Sequence, residues 1–328
     1  VKKITVRQAI NDTLKKRMRQ DENMFIMGQD IAFYGGSMKA TGGMYDEFGP
    51  ERVRNTPLAE ASTVYAAIGS AMMGVRAICE ITYVDFMTLC MDTLLNQIGK
   101  WPYLCCEEDL RLPLVIRTQG GGFRGNGPHN SQSLEAFFTH IPGLIVVSPS
   151  TPFDFKGLLN ASILDDNPVL FLEHKMLYNI KGMAPEEDYT IPFGAADVKR
   201  DGNDVTILAY SYMVHLALQA AAELETEGIS VEVVDPRTLN PFDYTTLFQS
   251  MRKTRRLVVV SEDYGNTSFT KEIAAAVNEE LFCEMDAPVA CLNTLDVPLS
   301  YAKELEDYAL PSVEKIKEKV RRSLAYSF

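Results

Sequence analysis

The sequence predicts an α/β protein of two domains, each a mainly parallel sheet flanked by helices. Three observations lead there. The chain has 328 residues, and at roughly 100–200 residues per domain that length suits two cores. Along most of it, β-rich runs alternate with helical runs, the pattern of parallel strands joined by helical crossovers. The alternation stops once, between Lys175 and Lys199, where Gly182, Pro185, Glu186-Glu187-Asp188 and Pro192 make a polar connection, and then restarts. The boundaries drawn from this are residues 1–180, a linker at 181–200 and a second domain at 201–328.

Each element follows from its own pattern. Thr5-Val6-Arg7-Gln8 reads as a capping box opening a helix whose apolar residues Val6, Ala9, Ile10, Leu14 and Met18 recur at helical spacing. Met24–Met27, ending at Gly28, reads as a buried strand, and the Gly- and Tyr-rich stretch Ala32–Asn55 as a long ordered loop. Strands are expected at Arg76–Thr82, Leu112–Thr118, Leu144–Val147 and Val169–Glu173. Helices are expected at Phe86–Leu104, Ser131–Phe138 and Phe153–Leu164, with a glycine-rich loop at Gln119–Gly127. Beyond the linker, strands Val205–Tyr210, Ser230–Val234 and Arg256–Ser261 alternate with helices Val214–Glu225, Tyr244–Met251 and Ser268–Phe282.

Composition narrows the function. At 46% hydrophobic and 23% charged residues the chain has ample apolar material for packed cores, which excludes disorder. A net charge of −12 with scattered Lys and Arg argues against a nucleic-acid surface. There is no signal-peptide pattern after Val1-Lys2-Lys3 and no 18-residue apolar run, so no membrane partner is expected, and a cytoplasmic location, or an organelle lumen where a transit peptide has been removed. The six cysteines, at 79, 90, 105, 106, 283 and 291, lack C-x-x-C spacing and read as buried free thiols, with Cys105-Cys106 as the one pair suited to redox chemistry. No G-x-G-x-x-G, P-loop, G-x-S-x-G or H-E-x-x-H motif is present.

The chemistry-bearing residues are few. Glu60 precedes the small-residue run Tyr65–Gly74, where it reads either as a helix-dipole partner or as a partly buried acid suited to proton transfer. The run Gly120-Gly121-Gly122-Phe123-Arg124-Gly125-Asn126-Gly127 says that backbone passes close to something, or else that the loop is flexible. His129, at its end, is a candidate titratable group, whereas His140 and His215 read as structural.

Taken in order, these segments resemble one family. They are Thr56-Pro57-Leu58-Ala59-Glu60-Ala61, Ala66-Ala67-Ile68-Gly69, Glu80-x4-Asp85-Phe86, Asn96-Gln97-x2-Lys100, Ser131-Gln132-Ser133-Leu134-Glu135-Ala136 and His140-x-Pro142-Gly143-Leu144. Asp235-Pro236-Arg237-Thr238-Leu239, Asp286-Ala287-Pro288-Val289 and Asp296-Val297-Pro298-Leu299-x-Tyr301-Ala302 continue the match. The family is the beta subunit of the thiamine-diphosphate-dependent first component of 2-oxo acid and acetoin dehydrogenase complexes. The resemblance implies a pyrimidine-binding domain followed by a transketolase-type C-terminal domain. It also implies half of a thiamine diphosphate site. Mg2+ and the diphosphate fall mainly to an alpha subunit, because the Gly-Asp-Gly motif with its downstream Asn is missing here. Two alpha and two beta chains, and a lipoyl-bearing dihydrolipoyl acyltransferase, are the implied partners.

By the same resemblance Glu60 contacts the pyrimidine N1′, Phe86 stacks on the ring, and Thr82 and Leu89 line it. The backbone carbonyls of Leu114, Ser162, Ile163, Asp165 and Asn167 match positions that hold a K+ ion. The sequence departs from the family at one point. The family's His-Ser-Gln is Asn130-Ser131-Gln132 here, with His129 one residue early, so either His129 reaches the family position or Asn130 replaces it without proton-transfer ability. Glu173-His174-Lys175-x-Leu177-Tyr178 resembles acetoin and pyruvate-type members. The alternatives are a subunit of a stand-alone thiamine-dependent carboligase or decarboxylase, and a non-catalytic interaction subunit.

Overall fold

The structure, a computed structural model, describes residues 1–105 and 111–326. It divides into two units: Val1–Gly120 with Phe137–Phe193, and Gly121–Ala136 with Gly194–Phe328. The glycine-rich segment 121–136 is therefore counted with the second unit, although it lies within 1–180 in sequence.

In the first unit, strands β1 (Lys2–Thr5), β2 (Phe25–Gly28), β3 (Val53–Asn55), β4 (Ala77–Ile81), β5 (Leu114–Gly120), β6 (Ile145–Val147), β7 (Val169–His174) and β8 (Lys181–Ala184) occur in chain order. Six of them form a parallel run in the order β6-β7-β5-β4-β2-β3. Strands β2, β4 and β7 are buried at every residue, as expected where helices cover both faces of a parallel sheet. The capping box forms as read: Thr5 Oγ1 accepts from Gln8 N at 3.1 Å and Gln8 Oε1 from Thr5 N at 2.9 Å. The helix that follows, Val6–Gln20, buries the five residues its spacing singled out. A second box, Thr151 with Asp154, opens helix Pro152–Leu164.

Several elements differ from the sequence reading. The stretch Ala32–Asn55 contains a short helix, Met44–Phe48, and β3. Phe86–Leu104 is not one helix but a 3₁₀ turn, Val84–Cys90, a π-helical turn, Thr93–Ile98, and an α-helical turn, Trp101–Leu104. Pro102 cannot donate to a continuing helix. Gly99 must also pack against Ile141, whose Cγ2 would lie 2.5 Å from a Cβ there. Only Glu135–Thr139 of Ser131–Phe138 is helical. The stretch read as a linker holds two strands: β8, antiparallel to β1, and β9 (Asp197–Arg200) in the second unit.

The second unit carries β10 (Val205–Ala209), β11 (Val231–Asp235), β12 (Thr238–Asn240), β13 (Leu257–Tyr264) and β14 (Ala290–Thr294). Its main sheet runs β14-β13-β10-β11-β9, with β9 antiparallel and the rest parallel. Helices Met213–Glu225 and Val313–Leu324 share one apolar core with the sheet, through Val214, Ala217, Ile316 and Val320 against Ile207 and Val258. Helices Tyr244–Thr254 and Phe269–Leu281 also pack on it. Strand β14 and helices Lys303–Ala309 and Val313–Leu324 complete the region that pattern reading left unassigned. No described helix is long and apolar enough to cross a membrane.

Candidate active site

Strands β2 and β3 lie side by side, and their ends set up Glu60. Thr56 N donates to Gly28 O at 3.0 Å, and Asn55 Oδ1 accepts from Ala32 N at 2.9 Å. That fixes the turn leading into helix Glu60–Met72, whose N-cap, Ala59, offers no side-chain cap. Glu60 is the first helical residue and 8% exposed, so the dipole partner and the buried acid are the same group. Its Oε1 accepts a hydrogen bond from Gln29 Nε2 at 3.0 Å. The helix packs on the Val84–Cys90 turn, which carries Phe86 and Leu89. Burial, with a smaller contribution from Glu60's charge, pushes the Cys90 thiol up to about 12. Phe86 is half-buried and Leu89 is 60% exposed. The buried Thr82 Oγ1 has no hydrogen-bond partner among the described residues.

Sequence reading counted Glu80 and Glu173 within motifs but gave them no role. They belong to a buried ion cluster at the middle of the first unit's sheet. Arg117 on β5 donates from Nη1 to Glu80 Oε2 at 2.9 Å, and from Nε and Nη2 to the two Glu173 oxygens at 2.7 and 3.0 Å. The Tyr178 hydroxyl also donates to Glu173. Burial pushes the Glu80 carboxyl up, against the pull of Arg117. Burial alone would lower the Arg117 guanidinium, but Glu173 and Glu80 outweigh it and the net shift is upward. Gly28 pairs with Glu80 in register, and a Cβ at Gly28 would lie 2.6 Å from the Glu80 carbonyl oxygen. The cluster thus underlies the strand end from which Gln29 reaches Glu60. The signal was present: a charged residue inside each of three apolar strand runs must find a partner.

The loop with His129 and Asn130 belongs to the second unit. It is packed rather than free: Gly125 and Gly127 have φ of 61° and 75°, and a Cβ at Gly127 would lie 2.2 Å from Tyr301 ring atoms. His129 is exposed in the turn after Gly127, and Asn130 N donates to Gly127 O at 3.3 Å.

Elsewhere in the first unit, Leu114 opens β5 while Ser162, Ile163, Asp165 and Asn167 follow one another around the end of helix Pro152–Leu164. Arg76 Nη1 donates to the Ile163 and Asp165 carbonyls at 2.8 and 2.9 Å, so two of these five oxygens already face a cation. Cys79 and Cys90 are buried thiols as expected, Cys105 and Cys291 are half-buried, and Cys283 is exposed. Cys283 departs from the expectation because it follows the C-terminal end of helix Phe269–Leu281, beside the exposed Phe282. Cys106, and with it the adjacent-pair reading, lies outside the described residues.

Two α/β units, one with a buried carboxylate at the head of a small-residue helix, define a transketolase-like protein. Residues 2–181 match the family described as transketolase, pyrimidine binding domain, and 194–316 match transketolase, C-terminal domain. The 2-oxoisovalerate dehydrogenase subunit beta of Bacillus subtilis (strain 168) is 42% identical over 315 residues, covering 95% of this chain and 96% of that protein. The acetoin:2,6-dichlorophenolindophenol oxidoreductase subunit beta of the same organism is 42% identical over 326 residues, covering 95% of each. The pyruvate dehydrogenase E1 component subunit beta of Rhizobium meliloti (strain 1021) is 39% identical over 319 residues, covering 97% of this chain and 69% of that one. The chain therefore belongs to the beta subunits of the thiamine-diphosphate-dependent E1 component of 2-oxo acid and acetoin dehydrogenases. A solved structure titled "Split gene transketolase, inactive beta4 tetramer" aligns over 99% of both chains with a TM-score of 0.80 and 22% identity, a likeness of fold.

Proposed function

We propose that this chain is the beta half of an enzyme that cleaves acetoin or decarboxylates a small 2-oxo acid such as pyruvate. The acyl group then passes to lipoyl domains of an acyltransferase core. The observation that carries the reading is Glu60: a buried carboxylate, with one oxygen on Gln29, at the head of a helix that packs against the turn of Phe86 and Leu89. These residues suit an aminopyrimidine, which needs an acid at N1′, an aromatic face and an apolar wall. The unpartnered Thr82 hydroxyl is a further group a ligand satisfies.

When bound, thiamine diphosphate supplies an acidic thiazolium carbon and an electron sink for bond cleavage. The chain's own residues prepare it. Glu60 holds a proton at N1′, Phe86 stacks on the ring, and Leu89 and Thr82 fix its position. His129 acts as the acid/base on the acyl-transfer side, with Asn130 beside it. An alpha subunit brings Mg2+ and the diphosphate site. The exposed apolar residues Leu58, Tyr65, Met72 and Met73, on and around the Glu60 helix, support such a partner. A K+ ion at the Leu114, Ser162, Ile163, Asp165 and Asn167 carbonyls completes the reading. Each carbonyl oxygen has two lone pairs, so the bonds from Arg76 leave a second acceptor position on the Ile163 and Asp165 oxygens.

The test is Glu60→Gln in the assembled alpha–beta enzyme, with pyruvate, acetoin and 2-oxoisovalerate each offered and an artificial electron acceptor as readout. The rate on the preferred substrate should fall on the order of 10²–10⁴-fold without loss of assembly. Near-normal turnover makes Glu60 a structural residue. Asn130 at the family's histidine position favours a second reading, a carboligase or decarboxylase without an acyltransferase core. Substrate cleavage without any lipoyl acylation would select it.

A further inference from the structure

We propose that Tyr301 and the carboxylates of Glu262, Asp263 and Glu306 form a clasp on the glycine-rich loop and so set the placement of His129 and Asn130 for acyl transfer. The proposal rests on the reading that this loop serves that step.

Ordering the loop carries a high entropic cost. Gly121, Phe123, Gly125 and Gly127 all have positive φ, and glycine-rich backbone loses more freedom on ordering than any other. Three buried acids supply the order. Gly122 N donates to Glu262, Gly125 N donates to Glu306 Oε2 at 2.9 Å, and Asp263 accepts from Ala136 N. Those contacts catch the loop at its start and middle, and the first turn of the helix that follows it. Glu262, Asp263 and Glu306 are 7%, 5% and 0% exposed, so their bonds to backbone N–H groups are sheltered from water. Asp263 is itself fixed, accepting from Phe269 N at 3.3 Å. Phe123 packs into the small cluster of Leu299, Ala309 and Leu310.

Tyr301 is the part of the clasp that a fold requirement does not explain. Its ring is 66% exposed, so it adds little to any core. It nevertheless occupies the place where a Cβ on Gly127 would be, while its carbonyl oxygen would lie 3.1 Å from a Cβ on Gly125. His129 is two residues beyond Gly127, a reach of about 7 Å at full extension, so a shift at the ring contact passes directly to the imidazole. A misplacement of about 1 Å in a reacting group costs on the order of 10²-fold in rate.

The experiment uses the assembled alpha–beta enzyme carrying Tyr301→Ala, Tyr301→Phe or Gly127→Ala, beside His129→Ala and Asn130→Ala. Three quantities are read: amide hydrogen exchange over 121–130, substrate cleavage with an artificial acceptor, and acylation of an isolated lipoyl domain. For Tyr301→Ala and Gly127→Ala, exchange in the loop should rise roughly tenfold or more. In both, kcat for lipoyl acylation should fall about 10–100-fold, with KM for the 2-oxo acid or acetoin moving far less. Tyr301→Phe keeps the ring and should behave as the native enzyme. Unchanged exchange and acylation in Tyr301→Ala overturn the proposal. So does an equal loss of cleavage and acylation, which marks a merely structural residue. Should His129→Ala and Asn130→Ala both leave acylation intact, the reading of the loop as catalytic fails, and the exchange result alone decides whether the clasp exists.

Discussion

Glu60 and His129 are held in opposite ways. Glu60 sits on regular structure: strand ends, a helix start and one amide donor fix it, with a buried ion cluster beneath. His129 sits on a glycine-rich loop fixed from outside, by acids and a tyrosine far along the chain. A group that must hold one proton at one atom suits the first arrangement. The proposed acyl-transfer group is held instead by contacts distant in sequence, two of them from carboxylates on β13.

The largest effect that separates the two regions is in stability. Arg117→Ala would leave Glu80 and Glu173 buried without their cation, at a cost of about 3–5 kcal/mol. Tyr301→Ala removes an exposed ring and should change stability by about 0.5 kcal/mol or less. Urea unfolding of the two variants measures both, and equal losses would erase the distinction between a sheet-built and a clasped site.

A second effect, dependent on pH, concerns Glu135, at the head of the helix after the loop. Burial, with the charges of Asp263 and Glu262, pushes its carboxyl up to about 8 from an ordinary 4.5. The folded state then binds the proton more tightly than the unfolded state, so stability falls as pH rises from about 4.5 to about 8 and is level above. Glu135→Gln lacks that loss. Its melting temperature should exceed the native one by an amount that grows between pH 5 and pH 8.5. A gap that shrinks over that range would show Glu135 ionised at neutral pH.

The smallest effect is that of potassium. Melting in potassium chloride rather than choline chloride should raise the transition temperature by a few degrees, through binding to the folded state alone. Identical curves would leave the carbonyl set to Arg76.

The same contrast explains what the sequence disclosed. Thr5 and Gln8, or the apolar run Met24–Met27 ending at Gly28, are local signals, and local signals were legible. The break in Phe86–Leu104 was partly legible in Pro102, but the packing of Gly99 on Ile141 lies outside any window over that segment. The place of Glu60 at the start of a helix was legible because the motif that holds it is contiguous in sequence. The glycines showed that backbone passes close to something, but not that it is Tyr301. Glu80, Arg117 and Glu173 were visible as charges in strands, and only the parallel register joins them into one cluster.

The central claim is that this chain carries half a cofactor site. Calorimetric titration of thiamine diphosphate with Mg2+ into the purified chain, then into the chain mixed with its alpha partner, tests it directly. The account predicts little or no binding heat for the chain alone and saturable, magnesium-dependent binding once alpha is present. Tight magnesium-dependent binding to this chain by itself would contradict it.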